Sequence, residues 1–184
     1  MNRRARLREA TGRQHAILDR LIDERQYFES MDGYCSWLRA SFDFHREVQR
    51  LLTNAESASE LPLGALLERA SLLEQDLADL GVRAFVGRDE AFSARLGASE
   101  ALGMLYVTEG ASLGARVLLV RAKKLGLSEN RGARNLSFAA HNLEHWRTFL
   151  AELEAFECPP ADEQMMVAAA QRAFTIADRY WRRQ

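Results

Sequence analysis

Apolar residues recur at intervals of three and four along almost the whole of this chain, a spacing that is typical of amphipathic helices. Only three prolines interrupt the pattern, Pro62, Pro159 and Pro160, and no segment shows the alternation of a half-buried strand. With 184 residues, the chain is near the size of one domain. The sequence therefore predicts an all-α fold, a single-domain bundle of six or seven helices over residues 1–184.

The boundaries of the predicted helices follow from capping residues, glycines and prolines. The helices are predicted over residues 4–23, 32–52, 62–80, 98–125 and 141–156, with a last one that follows the two adjacent prolines and ends near residue 181. Asp32 is the expected N-cap of the second helix, and Pro62 is expected in the first turn of the third. Residues 126–135 are predicted to form a loop.

Charge and composition exclude several classes of protein. The formal net charge is −1, so there is no basic field for nucleic acid or for an anionic membrane. No run of about 18 apolar residues is present, and the first residues lack the apolar core of a secretory signal. Cys35 and Cys158 are too few for a disulfide framework or a zinc site. We therefore expect a protein of the reducing cytoplasm that binds neither nucleic acid nor membranes.

Two glycines, Gly110 and Gly114, lie four residues apart in the middle of the helix predicted over 98–125. Each interior glycine destabilises a helix by about 1 kcal/mol relative to alanine, and residues four apart share one helix face. Their neighbours Ala111, Ser112 and Ala115 are also small. Three explanations are open: close packing against another helix, a kink, or close approach of the backbone to a flat ligand.

The histidines are candidates for ligand binding. His15 lies on the margin of the apolar face of the first predicted helix, and Arg8 lies two turns earlier on nearly the same side, at about 10.5 Å by helical rise. An imidazole and a guanidinium at this separation suit a ligand with a metal at its centre and carboxylates at its rim. His45 lies in an aromatic segment and is interpreted as structural. His141 and His145 lack the HExxH order of a zinc site and are interpreted as part of a solvated helix face.

Three stretches of the chain match a known pattern in order and spacing. They are LREATGRQHAILD at 7–19, LGMLYVTEGASLGA at 102–115, and the region from Trp146 to Phe174. Together they resemble the haem oxygenase family in its bacterial branch. The first stretch is similar to the proximal helix of that family, the second to its Gly-rich distal helix and the third to its C-terminal helices. Bacteriophytochrome-associated and iron-acquisition members are both similar, and a haem oxygenase-like fold is implied.

On the proximal side, the resemblance implies a role for each matched residue. His15 corresponds to the axial ligand of the haem iron. Arg8 and Arg147 correspond to basic positions that contact the haem propionates. Phe174 corresponds to an aromatic position near the pocket.

On the distal side, Gly110 and Gly114 correspond to the place where the distal helix crosses the haem, and they are the residues expected to shape the reaction there. Animal members carry an Asp after the first distal Gly, where this chain has Ala111, so water near bound oxygen must be organised otherwise. Ser112 is expected among the residues that contact haem. One bacterial branch has Lys at that position and a rotated haem, so the serine implies the usual opening at the α-meso carbon.

The resemblance implies cleavage of haem, as both substrate and cofactor, to biliverdin, carbon monoxide and ferrous iron. The implied co-reactants are O2 and electrons from a ferredoxin or reductase, and a bacteriophytochrome is a candidate recipient of biliverdin. Two alternatives stay open at this point. One is a haem-binding carrier or sensor that does not turn haem over. The other is a thiaminase-like hydrolase, for which Cys35 is the candidate nucleophile.

Overall fold

The computed structural model describes residues 2–56, 58–83 and 95–183, and no part of these ranges forms a β-strand. They contain eight α-helices: α1 (Arg3–Glu24), α2 (Met31–Thr53), α3 (Gly64–Asp79), α4 (Ala98–Gly110), α5 (Ser112–Lys124), α6 (Arg134–His141), α7 (Leu143–Ala155) and α8 (Pro160–Arg182). A short 3₁₀ turn covers Ala58–Glu60. The predicted all-α class is confirmed. None of the helices in the described ranges is both long and apolar enough to cross a bilayer.

Helix α8 lies at the centre of the packing and contacts α1, α2 and α4. Its buried face is rich in alanine, and small side chains let a neighbouring helix approach closely. At the contact with α4, a side chain added to Gly103 would collide with the backbone carbonyl of Met166. A glycine is therefore required for close helix packing at position 103, a position to which the sequence analysis assigned no role.

The second helix starts one residue earlier than predicted. α2 begins at Met31, and Ser30 is its N-cap, because the Ser30 Oγ accepts a hydrogen bond from the Gly33 amide at 3.1 Å. Asp32, the predicted N-cap, lies inside the first turn, where its negative charge still favours the helix N-terminus.

The third helix starts two residues later than predicted. α3 begins at Gly64, so Pro62 precedes the helix instead of lying in its first turn. The Leu63 amide donates a hydrogen bond to the Leu61 carbonyl at 2.8 Å, which closes a three-residue turn around Pro62. The fixed φ of proline suits the central position of such a turn.

Helix α6 was not predicted, and the loop prediction over 126–135 is wrong at its end. α6 begins at Arg134, and the helix predicted from residue 141 instead begins at Leu143 as α7. The start of α6 is stabilised from a distance: the buried Asp76 of α3 accepts hydrogen bonds from the amides of Arg134 at 2.9 Å and Asn135 at 3.0 Å. Because this cap lies on another helix, no local sequence signal marks the start.

The helix predicted over 98–125 is interrupted at Ala111, which separates α4 from α5. Next to the interruption, the Ser112 Oγ donates a hydrogen bond to the Glu109 carbonyl at 2.6 Å. Side-chain hydrogen bonds of this kind to the preceding turn bend helices. A kink, one of the three explanations for the small residues, is thus confirmed, and it lies between the two glycines.

Candidate functional site

His15 is an exposed side chain whose orientation is fixed by a neighbour. Its side chain is 65% exposed, and its Nδ1 lies 2.9 Å from Oδ2 of Asp19, one turn further along α1. A carboxylate only accepts hydrogen bonds, so this contact places the ring hydrogen on Nδ1 and leaves the lone pair on Nε2. The packing of α8 against α1 brings Phe174 beside the imidazole, with ring centroids 5.9 Å apart in an edge-on arrangement.

A cleft of about 510 Å³ runs along the face of α1 that leads to His15. The cleft is lined by Asn2, Arg4, Ala5, Arg8, Glu9 and Gly12. Positions 5, 8 and 12 are spaced by three and four residues, and position 15 continues the same series. The predicted pair of Arg8 and His15 therefore shares one face of α1, with the guanidinium in the cleft and the imidazole beyond its end.

Helix α4 presents Tyr106 towards the basic residues of α1. The phenol is half-buried, and its ring centroid lies 5.7 Å from that of Trp146 on α7. Burial raises the pKa of Tyr106, while the nearby Arg4 and Arg8 guanidinium groups lower it. The sequence analysis named Arg8 but missed Arg4 and Tyr106. The available signal was spacing: Tyr106 lies four residues before Gly110, and Arg4 four residues before Arg8.

The two glycines of the bent segment face different surroundings. A Cβ added at Gly114 would meet no atom within 4 Å, so close helix packing, the first explanation, is wrong for this residue. A Cβ at Gly110 would lie 3.6 Å from the Trp146 ring, which is ordinary van der Waals contact. Open space beside Gly114 leaves close approach to a ligand as the explanation that its surroundings allow.

Ser112 is buried, and its hydroxyl hydrogen is committed to the Glu109 carbonyl. The oxygen of the hydroxyl retains lone pairs, so it can still accept a hydrogen bond. The neighbouring Ala111 is exposed and supplies no polar group. The local structure therefore assigns Ser112 a role in shaping the bend, and its contact with haem stays a prediction.

Glu109 and His145 form a buried contact behind the bent segment. Oε2 of Glu109 lies 3.3 Å from Nε2 of His145, and the Glu109 side chain is only 5% exposed. Burial raises the pKa of Glu109, whereas the charges of His145 and Arg69 lower it. The interpretation of His145 as part of a solvated helix face is wrong, because this imidazole packs against α4; His141 is exposed.

A second buried group lies between α3, α4 and α6. The fully buried Arg69 donates from Nη1 to the Thr108 carbonyl at 2.7 Å and from Nε to Oδ1 of Asn135 at 3.1 Å. Burial and the charge of Arg69 lower the pKa of His45 to about 3, although its Nδ1 contacts the Ser41 carbonyl at 2.8 Å. These contacts agree with the structural interpretation of His45 and tie the end of α4 to the bundle.

Two further candidate residues have surroundings that bear on their roles. Arg147 is 73% exposed, and its Nη1 lies 3.2 Å from Oε2 of Glu144 in the preceding turn of α7. An exposed pair of this kind is weak, so the guanidinium stays available to an anionic ligand. Cys35 is partly buried, and burial raises the pKa of its thiol. A raised pKa disfavours the thiolate that a nucleophilic hydrolase needs.

These side chains fit the parts of a haem. The Nε2 of His15 is the kind of neutral donor that binds haem iron, and its other nitrogen is held by a carboxylate as in many metal-binding histidines. Phe174 offers an apolar edge beside that nitrogen. Arg4 and Arg8 offer cations for carboxylates, and Gly114 leaves backbone uncovered on the opposite segment.

Comparison with known proteins agrees with this geometry. A family model described as Heme oxygenase matches residues 1–182. Heme oxygenase PigA of Pseudomonas aeruginosa is 33% identical over 173 residues, which cover 94% of this chain and 87% of that protein. A structure of the NO- and CO-bound haem oxygenase of Neisseria meningitidis superposes with a TM-score of 0.86 at 31% identity, covering 100% of this chain and 92% of the other. The chain therefore belongs to the haem oxygenase family.

Proposed function

We propose that this chain binds haem between α1 and the bent α4–α5 segment and cleaves it oxidatively to biliverdin, carbon monoxide and ferrous iron. The observation that carries the proposal is the orientation of His15. Asp19 engages Nδ1, Phe174 packs beside the ring, and Nε2 is left to bind iron. A single imidazole ligand leaves the opposite face of the iron open to O2.

The cations of α1 orient the substrate within this cleft. Arg8 lies about two turns from His15 on the same helix face, which suits binding of a propionate while Nε2 binds the iron. Arg4 adds a second cation, and the Tyr106 hydroxyl adds a donor on the facing helix. We place Arg147 in the same role on the α7 side, where its exposed guanidinium can reach an anionic group.

The bent segment shapes the opposite face. Haem supplies both the iron that activates O2 and the meso carbon that is oxidised. Gly114 keeps side-chain atoms away from that face, and Gly110 lets the segment rest against Trp146. The hydrogen bond from Ser112 to the Glu109 carbonyl fixes the bend. The carboxylate of Glu109 contacts His145 on α7, so it does not provide an acid at the position of Ala111.

The reaction needs electrons from a separate donor, which we take to be a ferredoxin or a reductase. Its products suit two uses: biliverdin as the chromophore of a bacteriophytochrome and ferrous iron for iron supply. Both uses follow the same ring opening. Adding the products of turnover to an apo-bacteriophytochrome and measuring photoconversion tests the first use, and absence of a photoactive adduct would reject it.

The function is tested by titrating the purified chain with ferric haem and then adding ascorbate in air. We expect stoichiometric uptake with a defined Soret band, followed by loss of that band and the appearance of biliverdin absorption. His15→Ala should abolish product formation. A Soret band that persists under reductant would instead support the carrier or sensor, and absence of stoichiometric uptake would reject the proposal altogether.

A further inference from the structure

Helix α5 carries an exposed apolar stripe that nothing in the described fold covers. Leu113, Val117 and Val120 are 53%, 65% and 59% exposed, the three largest values among the exposed large apolar side chains of the described residues. Their spacing of four and three places them on one helix face. The opposite face of α5, with Ala115, Leu119 and Ala122, is buried against the core, so the stripe points outward.

The charges around this stripe have one sign. All charged residues of α5 are basic, namely Arg116, Arg121, Lys123 and Lys124, although the whole chain has a formal net charge of −1. Of these, Arg121 is paired with Asp23 and Glu29, and the Arg116 Nε donates to the Ala140 carbonyl. Lys123 and Lys124 are exposed, and they are the two lysines of the chain. The C-terminal half of the stripe is therefore a local basic surface.

The stripe also lies next to the proposed haem cleft. Gly114, which leaves the bent segment bare, lies between Leu113 and Val117 in the same helix. On the flank of Gly114, Arg121 reaches Asp23 at the end of α1, the helix that carries His15. A protein seated on this surface would therefore lie close to one edge of the site.

We propose that the α5 surface, formed by Leu113, Val117, Val120, Lys123 and Lys124, is the docking site for the acidic redox protein that supplies electrons. This inference rests on the proposed function, which requires such a donor. Small apolar patches with a charged rim are typical of short-lived electron-transfer contacts, in which opposite charge speeds encounter. A second copy of this chain fits less well, because a symmetric contact would place the lysines of both copies near each other. A membrane fits less well because α5 carries no aromatic residue.

The first test uses the full chain with bound haem and, as probe, an acidic plant-type [2Fe–2S] ferredoxin kept reduced by its NADPH-dependent reductase. Val117→Asp with Val120→Asp should raise the ferredoxin concentration for half-maximal turnover by about tenfold or more, because it adds two charges that repel an acidic partner. Turnover driven by ascorbate, which needs no docking surface, should be unchanged. Met165→Asp, an exposed site on α8, is the matched control and should change neither.

The second test is independent of turnover. A carbodiimide couples lysine amines to carboxylates in contact with them, so cross-linked peptides should contain Lys123 or Lys124. Lys123→Arg with Lys124→Arg keeps the charge and the ferredoxin response but should remove these cross-links. Lys123→Glu with Lys124→Glu should remove both the cross-links and the salt-dependent part of binding.

Three results would overturn the docking site. They are an unchanged ferredoxin response in the double aspartate variant, cross-links confined to the N-terminal amine, and loss of dimerisation or of binding to phosphatidylserine vesicles as the effect of the α5 variants. Failure of turnover with ascorbate would instead reject the proposed function, while the cross-linking result would still decide where the donor binds.

Discussion

The Nδ1 atom of His15 lies 2.9 Å from Oδ2 of Asp19, one helical turn further along α1. Both side chains are more than half exposed, so the pair adds little to the stability of the fold. Its effect is on the imidazole itself, because a carboxylate on one nitrogen fixes the tautomer and makes the other nitrogen a better metal ligand. Asp19 is therefore a positioning residue for His15.

Asp19→Ala should weaken haem binding without unfolding the chain. We expect the dissociation constant for haem to rise by about tenfold, the range found when such carboxylate partners are removed. The thermal midpoint should stay the same because the pair is exposed. Haem titration followed by Soret absorption measures the effect, with Glu24→Ala at the end of α1 as the control. Unchanged haem affinity would show that Asp19 does not position the ligand.

Gly103 and Gly114 should respond in opposite ways to an added side chain. Gly103→Ala forces a methyl group into the Met166 carbonyl and should lower the free energy of unfolding by about 1–3 kcal/mol or more. Gly114→Leu places its side chain in open space, so stability should be retained while haem uptake is blocked. Urea unfolding and haem titration of both variants test this. Normal haem binding by stable Gly114→Leu would contradict the role given to the bare backbone.

Asp76→Ala should destabilise the fold strongly. The carboxylate is fully buried and accepts hydrogen bonds from the amides of Arg134 and Asn135, while Arg134 also forms an ion pair with it and with Asp79. Removing it leaves buried donors without partners, and a loss of about 3 kcal/mol is expected. Glu74→Ala, an exposed change on α3, should have little effect. Equal unfolding free energies for the two variants would show that α6 does not depend on this cap.

The stability of the chain should fall in acid partly because of His45. The unfolded imidazole has a pKa near 6.5, and burial with Arg69 nearby lowers the folded-state pKa to about 3. Between these values the unfolded chain binds more protons, so this histidine disfavours folding progressively as the pH falls, by at most about 4 kcal/mol. His45→Phe should flatten this part of the pH profile of unfolding free energy, and the exposed His141→Phe should not. A profile that keeps its slope in His45→Phe would reject this cause.

Local pattern was enough to predict the helices whose signals are local. The last helix does begin at the predicted prolines, since Pro160 suits the first turn and Pro159 lies outside it. The start of α6 could not be predicted, because its cap is the side chain of Asp76, which lies 58 residues from Arg134 along the chain. The break at Ala111 was open among three explanations, and only the contacts of Gly114 and Ser112 distinguish between them.

The candidate site divides in the same way. His15 and Arg8 share one helix, so their common face follows from spacing alone. Arg4 and Tyr106 were missed because their proximity depends on how α4 packs against the bundle. His145 was misassigned for the same reason, since an imidazole and a carboxylate 36 residues apart in sequence meet only after α7 folds onto α4.

The central claim is that the imidazole of His15 binds the haem iron, and resonance Raman spectroscopy of the ferrous haem complex tests it most directly. We predict an iron–imidazole stretching band in the unmodified chain, its loss in His15→Ala, and its return when free imidazole is added to that variant. An unaltered band in His15→Ala would show that another histidine is the ligand and would contradict the account.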